Sequence, residues 1–162
     1  MTLTVEDGSQ VTGADSYITE AEYQAWADAR FGAARSTAPA DDAAAEVLIL
    51  RAMDYFEELD FIGNKYTEAQ PLQWPRADVV IDKFGVDADE IPSQVKRALY
   101  ELTYVEELGD GELNQISRKT KREKVDEIEV EYADSSASRK TSPAVRRALK
   151  KLVRSSFGVI RA

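Results

Sequence analysis

The side chains able to do chemistry are few in this chain, and two of the usual ones are missing. Its 162 residues include no histidine and no cysteine. That removes disulfides, thiolate nucleophiles, Cys/His zinc sites and any imidazole acid–base step near neutral pH. The 30 Asp and Glu residues could ligate a hard cation, but no EF-hand spacing, Walker loop or GxGxxG turn organises them. The expectation is therefore a non-enzyme with no catalytic, metal or cofactor site. No apolar run approaches the roughly 20 residues of a membrane span, and the N-terminus lacks the apolar core of a signal peptide. A soluble protein made and used in a cytoplasm is expected.

One stretch does carry patterned charge. Arg118–Tyr132, RKTKREKVDEIEVEY, opens on a basic run and then alternates Glu127, Glu129 and Glu131 with Ile128, Val130 and Tyr132. A period of two marks a half-buried strand, and a lone strand must find a partner for its backbone groups. Folding back at Asp126-Glu127 pairs Val125 with Ile128, Lys124 with Glu129, Glu123 with Val130 and Arg122 with Glu131. Opposite charges facing each other across such a pair are worth roughly 0.2–1 kcal/mol. Asp-Glu is a poor two-residue turn, and an isolated hairpin is marginal in water. The stretch thus predicts an arm completed by assembly, with Arg122, Lys124, Ile128, Glu129, Val130, Glu131 and Tyr132 at an interface.

Helical patterns surround it. Thr19 and Glu22 form a capping box, and Ile18 and Tyr23 a hydrophobic staple, at the start of a helix that Gly32 ends. Tyr23, Trp26, Ala27 and Phe31 share one face and read as core; a base-stacking platform is the alternative. Asp41 or Asp42 caps a second helix to about Leu59, whose broad apolar stripe makes it the expected central helix. Residues 60–90 then lose periodicity around Gly63, Pro71, Pro75 and Gly85, as in a functional or partner-ordered loop. Within it, Trp74 pins the loop to the core or, with Arg76, anchors an interface. Pro92 suits the first position of a third helix that Gly109 stops. Ser142-Pro143 opens a fourth, with Val145, Leu149, Leu152 and Val153 inside and Arg146, Arg147, Lys150, Lys151 and Arg154 outside. The tail places Phe157, Val159 and Ile160 as a docking peptide or a strap over the core.

The expected fold is mainly α: one domain over 1–162, a bundle of about four helices with one long β-hairpin arm at 118–132. A lead-in at 1–15, an extended loop between helices 2 and 3, and a tail at 155–162 complete it. Charge is divided unevenly along it. Residues 1–90 carry a net −13 and residues 91–162 a net +4, an asymmetry suited to steering partners or packing subunits.

The order of these parts, with FIGNKY…PLQWPR, IPSQVKRALYEL and KREKVDEIEVEY, resembles the tailed-phage head–tail connector (adaptor or head-completion) family over about residues 14–155. Members of that family also go under the description DnaT-like single-stranded-DNA-binding protein. The resemblance implies a virion protein, assembled in the host cytoplasm, that forms a ring of its own copies below the portal, commonly a dodecamer. Its partners would be the portal protein, a downstream tail-completion or stopper protein, and double-stranded DNA passing through without sequence-specific contact. Opposed charges on the two halves suit a head-to-tail ring contact. The alternative is a single-stranded-DNA-binding module, which needs aromatics interleaved with basic residues. In the sequence these lie apart, since Arg118–Lys124 holds no aromatic and the tryptophans fall in the acidic half.

Overall fold

The computed structural model describes residues 2–109, 122–125, 128–131 and 143–154. Four helices dominate: α1 (Glu20–Phe31), α2 (Asp42–Glu57), α3 (Ser93–Glu107) and α4 (Pro143–Leu149). A 3₁₀ turn, Gly32–Ala34, follows α1. Three two-stranded antiparallel pairs join them: β1 (Asn64–Lys65) with β2 (Arg76–Ala77), β3 (Val80–Ile81) with β4 (Phe84–Gly85), and β5 (Arg122–Val125) with β6 (Ile128–Glu131).

The start of α1 follows from its first residues. The Thr19 hydroxyl accepts from the Glu22 N–H and the Glu22 carboxylate accepts from the Thr19 N–H, each at 3.0 Å. Two of the helix's orphan donors are thereby satisfied. Asp41 caps α2 through the Ala44 N–H at 2.8 Å. Pro92 stands one position earlier than expected, as the cap residue of α3, where its missing N–H is still harmless.

The core gathers Ile49, Ala52 and Phe56 of α2, Val95, Leu99 and Leu102 of α3, and Val145 and Leu152, all with no exposure. The helix at its centre is α3, not α2: α3 packs on α1, α2 and α4, whereas α2 meets α1 and α3. The wide stripe of α2 has another cause. Phe56 meets Phe61 at a 45° tilt with ring centres 4.8 Å apart and Tyr17 meets Phe56 edge-on at 5.6 Å, so loops cover the remaining face. The fourth helix is also shorter than its periodicity suggests. It ends at Leu149, and Val153 instead bridges to Phe61 while the Arg154 N–H donates to the Asp60 carbonyl at 2.8 Å. That contact ties the end of α4 to the loop leaving α2.

Residues 60–90 are ordered by buried polar groups. The Arg76 guanidinium donates to the carbonyls of Ile62 (2.8 Å), Gly63 (2.9 Å) and Gln73 (3.2 Å), and burial draws its pKa down. Trp74 has no exposure and meets Phe61 edge-on at 5.9 Å. The Trp74 backbone N–H donates to the Tyr17 hydroxyl at 3.0 Å, which donates to Glu57 at 2.6 Å. Of the two roles open to Trp74, its full burial fits the one that pins the loop to the core, and Arg76 beside it is buried as well. A Cβ on Gly63, at φ +73°, would sit 2.5 Å from the Ala77 carbonyl oxygen, so only glycine lets β1 approach β2 here.

The lead-in is likewise built around one carboxylate. Glu6 is fully buried and accepts from the N–H groups of Gly8, Gln10 and Val11 at 2.8–2.9 Å. The strand pair expected at 118–132 is present over four residues a side, in the expected register: Arg122 opposite Glu131, Glu123 opposite Val130, Lys124 opposite Glu129, Val125 opposite Ile128. A longer arm is not evident among the described residues. The interface candidates Tyr132, Phe157, Val159 and Ile160 lie outside them.

Candidate functional site

The helix packing brings two partly exposed aromatic residues face to face. Phe31, at the last position of α1, stacks on Tyr104 of α3 with ring centres 3.9 Å apart and planes 8° from parallel. Behind them Trp26 stacks on Tyr100 at 5.4 Å and meets Phe31 and Tyr104 edge-on at 5.9 and 6.4 Å. The Arg30 guanidinium lies over the Trp26 ring at 5.1 Å. Burial, with the nearby Glu22 carboxylate, pushes the Tyr100 hydroxyl up to about 12. Tyr100 therefore stays uncharged across the physiological range.

A buried ion pair fixes the elements that carry the stack. Arg35 lies one turn of chain beyond Phe31, and Glu107 three residues beyond Tyr104. The Arg35 Nη2 donates to Glu107 Oε2 at 2.6 Å and its Nε to Oε1 at 2.9 Å, while its Nη1 reaches Asp28 at 2.6 Å. The Tyr23 and Thr37 hydroxyls donate to the same Glu107 carboxylate. Burial alone would raise the Glu107 pKa, but the hydrogen bonds from Arg35 and Tyr23 outweigh it and hold the group below its ordinary value. Charge-assisted, forked geometry of this kind sets orientation as well as energy. The ends of α1 and α3, which carry the partly exposed rings, are thereby locked together.

Beside the rings runs a groove of about 540 Å³ between α1, α3 and α4. Phe31, Tyr104, Val105 and Leu108 supply apolar lining, and Arg30, Arg97, Arg147 and Lys151 supply cations. All four cations are exposed. The guanidinium groups of Arg97 and Arg147 form no ion pair among the described residues, while Arg30 faces Glu101 at 3.8 Å and Lys151 meets Asp82 at 2.6 Å. Flat π-faces beside exposed cations can stack bases and hold phosphates.

The sequence separates what the fold assembles here. Phe31 and Arg30 belong to the acidic half, Arg97, Tyr104, Arg147 and Lys151 to the basic one. Arg97 and Tyr104 carry no local signal of a site; the basic outer face of α4 was the visible clue. Of the basic run, by contrast, the described residues Arg122–Lys124 pair with the acidic strand β6, and residues 118–121 lie outside the described residues. Among the described residues no three carboxylates cluster as a metal site, and no helix is long and apolar enough to cross a membrane.

All 162 residues match the family described as "Putative DnaT-like ssDNA binding protein", and the chain belongs to that family. No curated protein and no solved structure matches it.

Proposed function

We propose that the groove between α1, α3 and α4 binds single-stranded DNA. The observation that carries this is the Phe31–Tyr104 stack lying in a groove lined by Arg30, Arg97, Arg147 and Lys151. The family description points the same way. Bases stack on an aromatic face whatever their sequence, at roughly 1–3 kcal/mol each, and the cations hold the backbone. The overall charge of −9 opposes long-range attraction of DNA. Binding through the groove is therefore modest and strongly salt-dependent. A fluorescein-labelled oligonucleotide titrated at low salt tests it by anisotropy. A single strand binds more tightly than the same sequence as a duplex, whose paired bases cannot reach the rings. Equal binding to both would refute the stacking mechanism.

A second reading is the subunit of a ring at a phage head–tail interface, meeting a portal protein and a tail-completion protein. Its support is the family resemblance, the opposed charge of the two halves, and the hairpin β3–β4, where Val80 and Phe84 are 60% and 77% exposed. Apolar side chains so exposed suit burial by a neighbour. Light scattering and negative-stain imaging over a range of concentration and salt test this reading. Only a compact monomer under every condition would count against it.

A further inference from the structure

One side chain is out of place in a groove made for phosphates. Glu101 is the single acidic residue among its lining, and its side chain is only 13% exposed. A carboxylate there weakens any backbone contact, and its 3.8 Å separation from Arg30 is too long for a hydrogen bond. Among the described residues no hydrogen bond engages its lone pairs, which leaves them to a ligand in the groove. Glu101 stands one turn before Tyr104 on α3, on the same side of the helix, so it borders the position of a base stacked on the Phe31–Tyr104 rings.

We propose that Glu101 reads the edge of that base and gives the groove a preference for guanine and cytosine over thymine. The inference rests on the single-strand reading of the groove. A carboxylate only accepts hydrogen bonds. Guanine offers it two adjacent donors, N1–H and the N2 amino group, and cytosine offers its N4 amino group. Thymine offers one ring N–H set between two carbonyl oxygens, which repel the carboxylate. Gln94, also in the lining, both donates and accepts and so cannot supply this discrimination by itself.

The test compares wild-type protein and Glu101→Gln on a labelled thymidine tract of about ten nucleotides and on the same tract with interspersed guanines or cytosines. Wild type prefers the guanine- and cytosine-containing strands by about fivefold to tenfold. Glu101→Gln, which offers a donor as well as an acceptor, loses the preference and binds the thymidine tract more tightly than wild type. Equal binding of all three strands by wild type overturns this inference and leaves the groove reading standing. A uniform weakening in Glu101→Gln with the preference intact also overturns it, because Glu101 would then merely hold Arg30. Absence of binding to every strand brings down the groove reading, and this inference with it.

Discussion

At the scale of single residues, the molecule invests its buried charge in holding rings in place. Arg35 and Glu107 have side chains 2% and 0% exposed. Removing one partner of such a pair strands the other in a dry site, at about 3–5 kcal/mol. Arg35→Ala should therefore lower unfolding stability by about that amount in chemical denaturation and loosen the Phe31–Tyr104 stack. Glu106 is the opposite case. Its Oε1 has no hydrogen-bond partner among the described residues, and burial raises its pKa despite the nearby Arg51. A raised folded-state value means that Glu106 favours the fold fully below its unfolded pKa of about 4.3 and that this contribution is lost as pH rises through the folded value. Glu106→Gln, unable to ionise, should be more stable than wild type at pH 7 by about 1 kcal/mol. The gain should shrink to nothing as the pH falls toward 4, which paired denaturation curves would show. Little of this was legible in the sequence. Helical spacing sets either Val105 or Glu106 on the apolar face of α3, but it marks neither carboxylate as paired or stranded, and nothing near Arg35 announces a partner 72 positions away.

Among the elements, local chemistry decided what could be foreseen. The capping box at Thr19, the Asp41 cap and the α3 start depend on residues within one turn, and each falls within a residue of its expected place. The hairpin β3–β4 gave no such signal, because its turn is built from Asp82 and Lys83, both at positive φ (54° and 74°). An Asn-Gly or Asp-Gly pair would have announced it. Lys83 holds a left-handed conformation that costs an L-residue roughly 1–2 kcal/mol. Lys83→Gly should accordingly stabilise the protein by about 0.5–1 kcal/mol, the loss of that strain exceeding the entropy of the added glycine. A rise in thermal midpoint with unchanged circular dichroism would bear this out; a fall would mean that the Lys83 side chain holds the hairpin. The periodicity of the fourth helix misled for a related reason. Leu152 and Val153 continue the apolar pattern, yet their backbone leaves the helix to pair with the loop at Phe61 and Ile62.

On the scale of the whole molecule, the charge asymmetry was visible in the sequence but its geometry was not. Reading along the chain sets the aromatics in the acidic half and the basic residues in the other. Folding α3 between α1 and α4 places Arg97, Arg147 and Lys151 in one groove with Phe31 and Tyr104, a juxtaposition no linear pattern contains. Tyr104→Leu keeps the bulk of the side chain but removes a stacking face, and should weaken single-strand binding about tenfold with little change in stability. The most direct test of the groove is the salt dependence of binding in wild type and in the double variant Arg97→Ala, Arg147→Ala. Each cation on a single-stranded phosphate contributes about −0.7 to the slope of log K against log salt. The account predicts that the double variant binds more weakly at low salt and that its slope is shallower by about 1.4. Unchanged affinity and slope in the double variant, or no binding by wild type at low salt, would contradict it.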